Sequence, residues 1–225
     1  MGEPRFFTLD YVEEAVLSDG TKVRLRLVRP EDKELLRAGF DRLSPESRYA
    51  RFLSPKASLS DDELRYLCEV DHENHFAIGA VRDRRDDEPG EGPIGLGIAR
   101  FIRLADPPNT AEAAIAVADE VQHRGLGRLL LLRLVAAAAE RGIERFRCEV
   151  LGSNASMAGL LAQVAPERTV EVGSGIMSIE TSLPHVPPTQ PPAGEPLQSP
   201  IYRLFRAAAQ NAVEWTGAVR NLWRR

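Results

Sequence analysis

Residues Gln122-His123-Arg124-Gly125-Leu126-Gly127 carry the plainest chemical signature in this chain of 225 residues. They follow an apolar run, Ala113 to Ala118, that reads as a buried strand, and they open a Leu- and Ala-rich segment that reads as a helix. The first N–H groups of a helix lack helical acceptors, and the helix dipole favours negative charge beside them. A glycine-bearing turn at that point is suited to hold an anion. Gly125 and Gly127 let the backbone approach a ligand closely, and Arg124 and Arg128 flank the turn with cationic donors suited to phosphate. The pattern points to a phosphorylated cofactor.

Three phosphate-binding turns compete for it. A P-loop needs GxxxxGK[ST], and no Lys-Ser or Lys-Thr follows here. A dinucleotide fingerprint needs a third glycine where Leu130 stands, and an acidic residue at the end of a later strand that this chain lacks. The third pattern, [QR]xxGx[GA], is met by Gln122, Gly125 and Gly127 without a mismatch. GCN5-related N-acetyltransferases (GNAT) carry that pattern, and the chain resembles them over residues 22 to 182. Glu112 before the apolar run and the later segment VLGSNASM, ending at Met157, add to the likeness. The segments RPED, LSPESRYARFL and AEAAIAVADEVQHRGLG resemble the acetyltransferase domain of bacterial Pat-type protein lysine acetyltransferases.

The resemblance implies an α/β (α+β) GNAT fold: a mixed, mostly antiparallel central sheet, helices on both faces, and a splayed fourth and fifth strand pair. It implies acetyl-CoA as co-substrate. The diphosphate would rest on Gln122, Arg124, Gly125, Leu126, Gly127 and Arg128. The pantetheine arm would pair with backbone around Ile115 and Val117, as an added strand does. An N–H near Val117 would polarise the thioester carbonyl. Asn154 matches the family asparagine that contacts pantetheine or diphosphate, and it is also placed to cap a helix.

The implied acceptor is an amine, a protein lysine first and a small-molecule amine next. A lysine has a pKa of about 10.4, so transfer needs a base. Glu112 matches the acidic residue that Pat-type domains use, with partial burial in an apolar site expected to raise its pKa. Asp119 and Glu120 are the runners-up, more suited to shaping the loop. The segment NASMAGLLAQV lacks the tyrosine that many relatives use as acid, leaving Ser156 or solvent. Arg48, Tyr49 and Arg51 fall where the family forms its acceptor cleft; an ion pair on a helix surface is the plainer reading. The alternative function is a non-catalytic acyl-CoA-binding regulatory module acting through a C-terminal helix.

Composition frames these readings. Hydrophobic content of 43%, charge of 28% and net charge of −4 describe a soluble globular protein and argue against broad nucleic-acid binding. Cys68 and Cys148 have no CxxC partner, and His72-Glu73-Asn74-His75 is not a metal motif, so no metal is expected. No signal peptide is read at the N-terminus, and no run approaches the roughly 18 apolar residues of a membrane span, so the expected location is cytoplasmic.

Residues 1–21 read as an N-terminal extension with a strand, and 22–183 as the acetyltransferase domain. Residues 184–200 hold seven prolines and read as a linker. Residues 201–225 carry both tryptophans and five arginines against one glutamate, on a helical apolar repeat. Such a helix can dock on protein, pair with a second copy to give a homodimer, or lie on an anionic membrane.

Before the phosphate turn, strands are expected at Val12–Leu17, Lys22–Val28, His75–Val81, Ile94–Leu104 and Thr110–Ala118. After it they are expected at Phe146–Leu151, Thr169–Val172 and Ile176–Ser182. Helices are expected from Pro30, from Ser44, from Ser60 with Glu63 as a capping box, from Gly127 to Arg141, and from Asn154 to Val164.

Overall fold

The structure is a computed structural model; it describes residues 5–164 and 168–183. The expected linker at 184–200 and helix at 201–225 lie outside the described residues. The chain falls into two compact units. One holds residues 7–102 and 114–131; the other holds 5–6 and 103–113 together with the described residues from Leu132 onward.

In the first unit, β1 (Val12–Val16) turns at Gly20 into β2 (Lys22–Leu27), with which it pairs antiparallel. Gly20 sits at φ +87°, a left-handed turn that glycine adopts without a Cβ penalty. Val23, Leu25 and Leu27 point inward, as the alternation predicts. β2 pairs antiparallel with β3 (His75–Arg82), and β3 with β4 (Ile94–Arg103), where the register slips between Ala80 and Val81.

Three helices lie between β2 and β3 in the chain. The helix expected from Pro30 is split: a 3-10 turn, Pro30–Asp32, precedes α1 (Lys33–Asp41). The cause is Asp32, which takes the Arg29 N–H at 2.8 Å and both terminal nitrogens of Arg26 at 2.7 and 2.6 Å. In α2 (Pro45–Phe52), the Ser44 hydroxyl accepts the Ser47 N–H at 3.1 Å. In α3 (Asp61–Cys68), Ser60 and Glu63 form the predicted capping box, at 3.2 and 2.9 Å. Phe40, Leu43, Leu59, Leu64 and Leu67 close a hydrophobic cluster among these helices.

β5 (Thr110–Val117) runs from the second unit into the first, and α4 (Leu126–Ala139) runs back. Between them lies a 3-10 turn, Asp119–Val121, that periodicity did not reveal. Gly142, at φ +70°, ends α4 as predicted.

In the second unit, β5 starts parallel to β6 (Arg145–Leu151). That ladder covers only Thr110, Ala111 and Glu112, and the rest of β5 lies outside it. α5 (Ala155–Val164) follows, then β7 (Arg168–Gly173) and β8 (Ile176–Ser182). β8 inserts between β6 and β7, antiparallel to both. The strand arrangement is therefore mixed and mostly antiparallel, as expected. Among the described residues, no helix is long and apolar enough to cross a membrane.

Candidate active site

The phosphate-type turn is built from the end of β5 and the start of α4. Two backbone conformations shape it: His123 at φ 59° and Gly125 at φ 90°. No atom lies within 4 Å of the place where a Cβ on Gly125 would project, so the glycine faces open space. The first helical bond is Leu129 N–H to Gly125 C=O, 3.0 Å. The amides of Leu126, Gly127 and Arg128 precede it and have no acceptor inside the helix. Leu126 is fully buried and contributes only its backbone.

Arg128 stands in the first turn of α4. Its Nε is buried and has no hydrogen-bond partner among the described residues. An unsatisfied buried guanidinium nitrogen calls for an acceptor, and the first turn of a helix is suited to an anion. Arg124 is placed differently: its guanidinium is bound to Asp19, and its carbonyl accepts the Ser18 N–H at 3.2 Å. It fastens the turn to the β1–β2 hairpin. Two bonds from Thr21, followed by Arg124, hold the Asp19 carboxyl down at about 2.

Gln122 works inward. Its Nε2 donates to the Val117 carbonyl at 3.2 Å, to the Ser47 hydroxyl at 3.2 Å and to Asp119 at 3.3 Å. Asp119 accepts the Ser44 N–H at 2.9 Å, the Ser44 hydroxyl at 3.0 Å and the Ser47 hydroxyl at 2.6 Å. Burial pushes the Asp119 carboxyl up, but the bonds from Ser47 and Ser44 outweigh it and leave it below the usual carboxylate range. A carboxylate committed to so many donors is a structural anchor for the turn. Glu120 pairs with Arg42 at 3.2 Å. Ser44 is expected only as a helix start, and nothing local in the sequence announces that Ser44 and Ser47 reach residue 119.

The downstream half of β5 is less covered than its start. Ala114, Ile115, Ala116 and Val117 are half-buried, whereas Thr110, Ala111 and Ala113 are buried. This is the segment expected to pair with the pantetheine arm.

Glu112 lies in the second unit, opposite Arg147 in the β5–β6 ladder. Arg147 is itself engaged by Glu180 at 3.1 Å. Glu112 is exposed, with no bonded partner among the described residues. The apolar enclosure expected around it is therefore not present in this state. The side chain points out of a strand whose next residue, Ala113, is buried, as two-residue alternation requires. Asn154 caps α5, its Oδ1 accepting the Met157 N–H at 3.0 Å.

The second helix corrects one expectation. Arg48 is not in a surface ion pair: it donates to the carbonyls of Leu43, Ala57 and Asp41 at 2.9–3.0 Å and lies over the Phe40 ring. Arg51 lies over Phe52 and has no ion-pair partner among the described residues. His123 is an exposed turn residue, as expected.

These features are those of one family. Residues 37–164 match the family model described as "Acetyltransferase (GNAT) family", and the chain belongs to that family. It is 31% identical over 191 residues to Acetyltransferase Pat of Mycolicibacterium smegmatis, covering 83% of this chain and 54% of that protein. The chain thus spans about half the length of that relative. It is 29% identical over 162 residues to Acetyltransferase PA5475 of Pseudomonas aeruginosa, covering 69% of this chain and 84% of that one. Among solved structures, the GNAT domain of S. lividans PAT superposes with a TM-score of 0.66 at 28% identity, over 76% of this chain and 97% of that chain.

Proposed function

We propose that this chain is an acetyl-CoA-dependent N-acetyltransferase that moves an acetyl group directly to an amine, with a protein lysine as the favoured acceptor. Family membership supports the reaction class, and the choice of acceptor rests on the resemblance of RPED, LSPESRYARFL and AEAAIAVADEVQHRGLG to Pat-type domains. The observation that carries the reading is the start of α4, whose first turn holds Arg128 with an unpartnered buried Nε, amides with no acceptor inside the helix, and, just before it, a glycine facing open space. That donor set fits a diphosphate.

In this reading Gln122, Gly125, Leu126, Gly127 and Arg128 hold the diphosphate, and Arg124 braces the turn through Asp19. Ile115 and Val117 offer backbone to the pantetheine arm; Asn154, which caps α5, matches the family asparagine that contacts pantetheine or diphosphate. The thioester supplies an activated acyl carbon. Glu112, directly or through a water, takes the proton from the acceptor ammonium, and the neutral nitrogen then attacks the carbonyl. A β5 amide near Val117 stabilises the oxyanion. The C–S bond breaks as the oxyanion collapses; the nitrogen gives up its second proton to solvent, and the thiolate takes a proton from solvent, either directly or through Ser156, which solvent reprotonates. An exposed Glu112 suits this role, because a bulky acceptor must reach it.

The test is a thiol-release assay with acetyl-CoA and lysine-bearing protein, coupled to mass spectrometry of the acceptor. Acetyl-lysine formed in step with CoA release supports the reading. Binding of acetyl-CoA with no acceptor ever acetylated would replace it by the acyl-CoA-sensing alternative.

A further inference from the structure

Glu112, Arg147 and Glu180 form one row across the strands of the second unit. Glu112 of β5 is the register partner of Arg147 in β6, and Arg147 is the register partner of Glu180 in β8. Their strand neighbours Ala111, Ala113, Phe146, Cys148, Ile179 and Thr181 are buried, so the row itself lies on the outward face. The cation thus stands between two acids, within an arginine's reach of both, since adjacent strands lie about 4.8 Å apart. It is bonded to one of them. Arg147 Nη2 donates to Glu180 Oε2 at 3.1 Å, while Glu112 has no bonded partner among the described residues.

Glu180 is well placed to keep that cation. Its other oxygen faces Arg145 Nε at 3.7 Å, and Arg145 also donates to the Thr110 hydroxyl at 3.2 Å and the Asn109 side-chain carbonyl at 3.4 Å. The acid therefore sits between two guanidinium groups. Without it, Arg147 has two near acids on its face. Glu149 is two residues further along β6, about 6.6 Å away at the strand rise, and Glu112 is directly opposite at about 4.8 Å. A guanidinium on Glu112 would take up its oxygens and favour its charged form, so the carboxylate would accept a proton less readily.

We propose that Glu180 is a positioning residue for acetyl transfer: it holds Arg147 away from Glu112 and so keeps the Glu112 carboxylate open to the acceptor ammonium. Glu180 touches neither acceptor nor acetyl-CoA; it acts through Arg147. The inference rests on the reading of Glu112 as the base, and it extends the working site from β5 to β8. It accounts for an exposed carboxylate that stays unpaired although an arginine stands opposite it.

The test is steady-state thiol-release kinetics with acetyl-CoA and lysine-bearing protein, together with direct measurement of acetyl-CoA binding. It compares the full native chain with Glu112→Gln, Glu180→Gln, Arg147→Met and the double variant Glu180→Gln/Arg147→Met. Glu180→Gln is expected to lose kcat by roughly tenfold or more, the scale of one close charge on a carboxylate, and to keep its affinity for acetyl-CoA. Arg147→Met alone should lose less than Glu180→Gln. The double variant should return to within roughly threefold of the native kcat. That rescue separates the effect from misfolding, because the double variant has lost the same ion pair. An unchanged kcat in Glu180→Gln, or a double variant as slow as Glu180→Gln, would overturn the proposal; a slow Glu112→Gln then leaves the base assignment standing. An unchanged kcat in Glu112→Gln would overturn both.

Discussion

The Ser47 hydroxyl donates to the Asp119 carboxylate at 2.6 Å, and this bond joins the first turn of α2 to the 3-10 turn that leads into the phosphate loop. Ser44 adds its own N–H and hydroxyl, and Gln122 closes the clasp from the other side. Asp119→Asn keeps the shape but loses charge and acceptor capacity. The group is exposed, so the expected stability loss is about 1 kcal/mol, a fall in Tm of roughly 2–4 °C. Acetyl-CoA affinity should fall with it, because Gln122 loses its orientation. The carboxyl is lowered in the folded state, so its contribution is present above the unfolded pKa of about 3.9 and is lost as pH falls below it. Calorimetric melts of both proteins at neutral and acid pH check the effect.

Glu112→Gln separates chemistry from folding. The residue is exposed and without a bonded partner among the described residues, so the melting temperature should stay the same. A positioned base contributes about 10²–10⁴ in rate. The variant should lose kcat by that range and keep its affinity for acetyl-CoA. Steady-state kinetics with direct binding measurements settle it; an unchanged kcat removes Glu112 from the reaction.

Gly97 permits a close approach within the first unit. A Cβ there would lie 3.0 Å from the Ala116 carbonyl oxygen and 3.0 Å from Leu130 Cδ1. Backbone gives way poorly, and overpacking costs about 1–3 kcal/mol. Gly97→Ala should lower the urea midpoint accordingly. Gly39→Ala, in open space and within α1, should not, and can gain from better helix propensity.

His75 predicts a pH effect. Burial, then the Arg100 charge, holds its imidazole down at about 4 in the folded protein. An unfolded histidine titrates near about 6.5. The unfolded chain binds the proton first, so this stability is complete above about pH 6.5 and is lost as pH falls towards 4. The native urea midpoint should drop between pH 6.5 and 5. His75→Gln, which keeps an acceptor for Arg100, should flatten that slope. An NMR titration that finds the ring charged at pH 6 contradicts it.

Much of this architecture was legible in the residues. The alternation of Lys22–Leu27, the Ser60–Glu63 box and the Gly142 stop each depend on local chemistry, and each appears as read. The turn at Gly125 was legible for the same reason, since a left-handed φ selects glycine. What local rules miss is long-range pairing. Arg124 was read as a free donor, but Asp19 captures it from 105 residues away. Arg48 was read as a surface group, but carbonyls at helix ends collect it. The enclosure expected at Glu112 depends on neighbours across strands that residue patterns do not specify. The Glu180–Arg147 pair likewise joins residues 33 positions apart, and no local pattern announces it.

The most direct measurement is calorimetric titration of acetyl-CoA into the native chain and into Arg128→Met. Loss of a charge-assisted bond costs about 1.5–3 kcal/mol, so the variant should bind roughly ten- to hundredfold more weakly. It should melt no lower than the native chain, because it also removes an unsatisfied buried nitrogen. Equal affinity in the two proteins, or no heat in either, would contradict the assignment of the α4 start as the seat of the diphosphate.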